Sequence, residues 1–264
     1  MTQLLTVMKA IVIFVIGFIS LPAFPQVEKI KAESKSNSEK SSSSDSDDSD
    51  DEFVYILFDI VFDGIPQLQS MKLKEDRSRY PSMVSLDVLL QGGIQPSSYY
   101  LLWPRIRGNW GLFSTDFRFN YLIEENIEGY RHIRTNDWQI IQLNLITSRF
   151  FTFRLGTGIM KEAFENEETY NESAFLFGVH APDQTKMILF EYRFAKDWDT
   201  GANPRREFSV QYQHQLFSTG SLHGNFSAGV VFQKYYGSVE IWGVQVGVVF
   251  RVFKPSHRNG RSDD

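Results

Sequence analysis

The chain has 264 residues, no cysteine, 42% hydrophobic and 15% aromatic residues, and a formal charge of −5. That length admits one large all-β domain. The missing cysteines exclude disulfide scaffolds, thiolate metal sites, cysteine nucleophiles and a lipid anchor on an N-terminal cysteine, and the negative charge argues against a nucleic-acid binder. A load of Phe 23, Tyr 11 and Trp 5 with a mean hydropathy of −0.26 suits a chain that alternates apolar and polar residues.

Residues 1–25 read as a secretory signal peptide. Lys9 supplies the positive flank and Ala10 to Leu21 (AIVIFVIGFISL) the apolar core, which is too short for a spanning helix before Pro22 and Pro25. Residues 26–52 are rich in Lys, Glu, Ser and Asp and end SSSSDSDDSDDE; a core cannot be built from them, which predicts a disordered linker. Residues 45–52 carry six negatives, and without them the rest of the chain holds +1. The acidity is therefore local, and the run lacks the turn glycine and spaced ligands of a calcium loop. Phe53 to Asp63 (FVYILFDIVFD) places Glu52, Asp59 and Asp63 at helical spacing, which predicts a short interfacial helix and approach segment over 53–81.

From residue 82 the pattern switches to period two. In 112–121, Phe113, Thr115, Phe117, Phe119 and Tyr121 share one face, and Ser114, Asp116, Arg118 and Asn120 the other. Residues 150–159, 186–194, 208–216 and 242–252 repeat this division. The polar face is Gln, Asn, Ser, Gly and Arg with almost no Lys, which suits a crowded, hydrated interior with the apolar face turned to lipid. Ten segments follow: 82–91, 98–107, 112–122, 137–148, 150–160, 172–180, 185–195, 205–217, 222–235 and 239–253. Connections after the even segments are short, at 108–111, 149, 181–184 and 218–221; those at 92–97, 123–136, 161–171 and 196–204 are longer. The expected fold is an all-β antiparallel transmembrane barrel over 82–253, most simply of ten strands, with a tail at 254–264. Pro104 leaves open an eight-stranded form, since proline removes a ladder hydrogen bond. A hairpin from 53–63 and the Met71 region would make twelve.

Signal, polar linker, alternating aromatic strands and a last strand VQVGVVFRVF ending on Phe253 together resemble the bacterial outer-membrane β-barrel proteins. The resemblance implies residence in the bacterial outer membrane, contact with the bilayer and lipopolysaccharide, and delivery by the barrel-assembly machinery, which reads an aromatic-ended last strand. The eleven residues after Phe253 depart from members that end on the aromatic.

Alternation turns Asp87, Arg105, Arg107, Asp116, Arg118, Arg154, Glu191, Arg193 and Arg251 inward. Three acids against six arginines predict a net-positive lumen, read either as a filled ionic core or as a narrow, porin-like passage preferring anions. Trp103, Trp110, Trp138, Trp198 and Trp242 fall near segment ends, where interfacial aromatics belong. His132 lies in the expected loop 123–136 beside Glu124, Glu125, Glu128 and Asp137, the best candidate for acid–base chemistry. His180 and His223 fall near short turns, His214 lies on the apolar face, and Glu162, Glu165, Glu167 and Glu168 form an expected acidic loop. No GxSxG, HExxH or phosphate-cradling loop is present, so neither catalytic residues, metal nor cofactor is assigned. Three readings stand: a non-enzymatic structural or narrow-pore membrane barrel, a surface hydrolase or acyltransferase, and a soluble lipid-binding barrel with its faces inverted.

Overall fold

A strand with apolar residues on one side and charges on the other needs two environments. A sheet that closes on itself provides both without leaving an edge. The computed structural model describes residues 26–41, 84–95, 99–126, 129–148, 150–164 and 167–253. The expected signal peptide, the 53–81 segment, the tail 254–264, Glu128, Glu165 and His257 lie outside them.

Among the described residues one helix, α1 (Gln26–Ser41), precedes ten strands: β1 (Val84–Gln95), β2 (Tyr99–Trp110), β3 (Phe113–Asn126), β4 (Gly129–Thr147), β5 (Phe151–Glu162), β6 (Thr169–His180), β7 (Lys186–Lys196), β8 (Arg205–Thr219), β9 (Leu222–Tyr235) and β10 (Val239–Phe253). Each pairs antiparallel with its chain neighbours, and β1 pairs with β10, closing a ten-stranded barrel. That closure leaves no place for an eleventh or twelfth strand, and β2 occupies what an eight-stranded barrel would need as loop. Pro104 is accommodated because the β2–β3 ladder skips Trp103 and Pro104 between Leu102↔Tyr121 and Arg105↔Arg118 without losing register.

The cross-strand partners Ser85, Asn109, Ser114, Gln142, Gly156, Ala174, Arg193, Glu207, Gln233 and Ile241 form one circuit. Extending the Ile94↔Val244 register brings it back to β1 opposite position 97, a stagger of 12 residues from Ser85. At 12 residues over ten strands the strands tilt by about 40°, so ten residues rise about 25 Å along the axis.

Several connections are shorter than expected. The 123–136 loop is absent: β3 and β4 continue to Asn126 and Gly129, so this hairpin stands above its neighbours. Loops at 92–97 and 161–171 likewise shrink, because β1 runs to Gln95 and β5 to Glu162. Polar residues at these strand tips kept them out of the apolar count. β4 reaches 19 residues by carrying two register shifts, so Ile140 and Ile141 both face outward, as do Leu145 and Ile146. Gly158 sits against the first shift, where a Cβ would collide with the Trp138 carbonyl, so only glycine permits this approach.

The faces divide sharply. Leu90, Ile106 and Val246 on the outside are 50%, 51% and 55% exposed, whereas Asp116, Asp137 and Glu172 inside are at 0%. This is the reverse of a soluble barrel, whose apolar side turns inward. No described helix is long and apolar enough to cross a membrane, which says nothing of the strands.

The linker expected over 26–52 contains α1 over its first part, a correction with a clear cause. Val27, Ile30, Ser34 and Asn37 recur at spacings of three and four and form one buried stripe. Half of that stripe is polar, so composition alone reads as disorder.

Candidate functional site: the barrel interior

The interior has three levels. Its upper level, at the end opposite Val84 and Phe253, is the mouth that α1 fills. Val27 and Ile30 pack among Tyr99, Leu101, Leu122, Ile133, Val231, Tyr235, Val239 and Ile241. The free amides of the first helical turn need acceptors, and the barrel supplies one: the Glu124 carboxylate accepts from the Gln26 and Val27 amides at 2.8 and 3.1 Å, and from the Tyr99 hydroxyl at 2.7 Å. Lower on the stripe, Ser34 donates to Glu162 (2.7 Å) and Asn37 to Asp197 (2.7 Å). Tyr236, in the tight β9–β10 turn, donates to Glu162 at 2.5 Å. Burial, with the Glu162 carboxylate alongside, pushes its hydroxyl well up, so it stays the proton donor.

The middle level is ionic. Asp116 accepts from Arg105 (2.7 Å), Arg107 (2.6 Å) and Arg193 (3.1 Å). Glu191 takes both terminal nitrogens of Arg105 at 2.7 Å and Arg193 Nε at 2.9 Å. Asp137 is shared by Arg118 and Arg205 at 2.6 Å each, Glu207 receives Arg118 and Gln233, and Glu172 receives Arg205 at 2.8 Å. Arg105 and Arg118 sit directly opposite one another in register, each held by its own pair of acids, Asp116 and Glu191 for Arg105 and Asp137 and Glu207 for Arg118. Such forked charge-assisted bonds hold planar guanidinium and carboxylate groups in one geometry.

Sequence reasoning missed Asp137, Glu172, Arg205 and Glu207, which stand at or near the first residue of the expected segments 137–148, 172–180 and 205–217. Continuing the β8 alternation two and four residues ahead of Ser209 reaches Glu207 and Arg205. With them, seven arginines (Arg105, Arg107, Arg118, Arg154, Arg193, Arg205, Arg251) face six carboxylates (Asp87, Asp116, Asp137, Glu172, Glu191, Glu207) among the described residues. Three further acids and one further arginine thus bring the expected net-positive lumen to near balance, even before Glu124 and Glu162 at the mouth are included.

The lower level, at the short-turn end, is looser. Arg251 bonds Asp87 through two nitrogens at 2.8 and 3.0 Å, and Thr152 bonds His180 at 2.8 Å. Here a cavity of about 140 Å³ opens, lined by Asp87, Arg107, Arg154, Arg251, His180 and Thr152 among others.

Trp103 does not join an outer aromatic belt: it is 2% exposed and donates to Asn120 inside the mouth. It shares parity with Arg105 and Arg107, which compels that direction. Trp110, Trp138 and Trp198 are each close to half exposed on the outside, and Trp242 is partly buried with outward parity. Trp110 lies at the short-turn end; Trp138 lies nine residues above the Thr147 end of β4. Lys196 stacks over Trp198 at 4.0 Å.

The acid–base constellation around His132 does not assemble. His132 is on β4, not in a loop, and faces outward opposite Ile123. Asp137 points inward to Arg118 and Arg205, Glu124 binds α1, and Glu125 pairs with Tyr100. Glu162 is likewise 1% exposed inside the mouth, not part of a solvated acidic loop. Glu167 pairs with Lys161 on the surface, His214 stacks on Tyr212, and His223 bonds Ser218. No group of three or more His, Asp or Glu able to hold a metal occurs among the described residues.

No family model matches the chain, and none of the curated proteins is significantly similar to it. A solved structure reported in "Unveiling the Mechanism Behind the in-meso Crystallization of Membrane Proteins" aligns with 64% of this chain and 83% of its own length, at 10% identity and a TM-score of 0.31.

Proposed function

We propose that the protein is an integral β-barrel of a bacterial outer membrane, with a structural, non-enzymatic role and an interior closed to ion flow. The observation that carries this is the inversion of its faces: a continuous apolar exterior around a buried ionic core. A lipid-facing band about 25 Å tall needs strands of roughly ten residues at this tilt, and every strand has at least 11. Trp110 near one edge of such a band, with Trp138, Trp198 and Trp242 toward the other, supports the same placement. Closure rests on the ionic level, whose side chains span the lumen, and on α1 in the mouth above it. A barrel of 8–10 strands has just enough interior for its own side chains, so a narrow anion passage requires rearrangement of both. The outward aromatic Phe250 near the end of β10 suits recognition of the last strand by the assembly machinery, and the exterior suits contact with lipopolysaccharide.

Two assays test this. Protein from native membranes should resist high-salt extraction, require detergent, and migrate faster on gels unheated than boiled. In planar bilayers the inserted barrel should be electrically silent; stable anion-biased steps that change in Arg118→Gln would replace the closed core with a pore.

A further inference from the structure

The middle and lower levels treat their arginines differently. Asp87 has arginines as cross-strand neighbours on both sides, Arg107 on β2 and Arg251 on β10. Arg154, on β5, has Asn144 on β4 and Leu176 on β6. No carboxylate among the described residues pairs with it, and its Nε and Nη1 have no hydrogen-bond partner although the side chain is 7% exposed. Arg107 gives its Nε to Asp116 but leaves Nη2 unmatched. Both residues line the same 140 Å³ cavity, together with Arg251.

An unpaired buried guanidinium is costly, and a chain that pairs its other interior arginines so thoroughly has a reason to leave this one open. The cavity far exceeds the ~10–15 Å³ that seats one water. Its lining holds three arginines against one carboxylate, Asp87, already engaged by Arg251. Thr152 and His180 supply further hydrogen-bonding groups, and Leu176 and Leu189 lower the local dielectric. We infer that the short-turn end of the barrel holds a binding site for a small phosphate-type oxyanion, with Arg154 as its principal ligand and Arg107 Nη2 as the second donor. The anion arrives either free in solution or as the phosphate of a lipid headgroup; the chemistry that binds it is the same. The site is blind, because the Arg105–Asp116–Glu191 cluster closes it above, so it binds and does not conduct. The binding donors rest on interior geometry; a conducting barrel would remove the closed upper end of the site but not its arginines.

The test uses the full chain refolded in lipid-free detergent. Inorganic phosphate is titrated at constant ionic strength while thermal unfolding is followed by the loss of gel heat-modifiability. A saturable rise in midpoint is expected with phosphate and not with chloride. Arg154→Gln should weaken the response at least tenfold, and Arg206→Gln, on the exposed face of β8, should leave it intact. Without phosphate Arg154→Gln should melt at or above wild type, because it removes an unpaired charge; Arg154→Lys, which keeps the charge but loses the fork, should retain a weakened response. Native mass spectrometry of protein extracted from membranes forms the second arm. A phosphate response identifies the free anion as sufficient; a retained phospholipid lost in Arg154→Gln, without that response, identifies a headgroup. A response to neither, or responses unchanged in Arg154→Gln, overturns the site.

Discussion

The two ends of this barrel are built from the same alternation and reach opposite states. At the mouth each polar group of the buried α1 stripe meets a barrel partner: Ser34 meets Glu162, Asn37 meets Asp197, and the first amides meet Glu124. At the short-turn end Arg154 meets no acid and borders a cavity. Between them the ionic level is matched arginine by arginine. Inward parity places a side chain in the lumen; whether it is then satisfied depends on which groups reach it across the interior, as Glu191 on β7 reaches Arg105 on β2, and single-strand periodicity does not contain that relation.

The sharpest way to break the contrast is to unmatch the matched level. Asp116→Ala strands Arg105, Arg107 and Arg193 around an empty acceptor, and removing one member of a buried ionic cluster costs about 3–5 kcal/mol. It should appear as a large fall in the urea midpoint of heat-modifiability, opposite in sign to the effect of Arg154→Gln. Ile30→Ala removes an α1 anchor that is fully buried. A loss of about 2–5 kcal/mol should fall on helix docking, read as faster amide exchange across 26–41 with the strands unchanged. Glu124→Gln keeps the shape of the cap and removes its charge; it should cost about 1 kcal/mol and raise protease cleavage within α1 by a modest factor. The smallest effect belongs to Lys161→Ala: its partner Glu167 is well exposed, and such pairs contribute about 0–1 kcal/mol, so unfolding should hardly move.

Much of the architecture was legible because a barrel with an apolar exterior and a polar interior writes its two faces directly into the chain. The turns at Gly111, Gly220 and Gly237 all adopt positive φ and punctuate the strands near their expected ends. What escaped has physical causes. Asp137, Glu172 and Arg205 are the first residues of their expected segments, where no apolar residue precedes them to show which face they take. The double outward pairs Ile140–Ile141 and Leu145–Ile146 come from register shifts that no strict period of two contains. Trp103 was assigned by residue type when parity with Arg105 already turned it inward. α1 was missed because its stripe is completed by partners 97 to 160 residues away, and a helix whose buried face is half polar shows its purpose only in the presence of its receptor.

The account's central claim is that the apolar face meets lipid while the charged face is sealed inside. With no native cysteine, single cysteines can be placed at Leu90, Ile106, Ile188, Phe208 and Val246, all outward on five different strands, and spin-labelled in reconstituted bilayers. The account predicts high accessibility to oxygen and low accessibility to a water-soluble nickel reagent at all five. Accessibility to the nickel reagent throughout would place this surface in water and contradict the account.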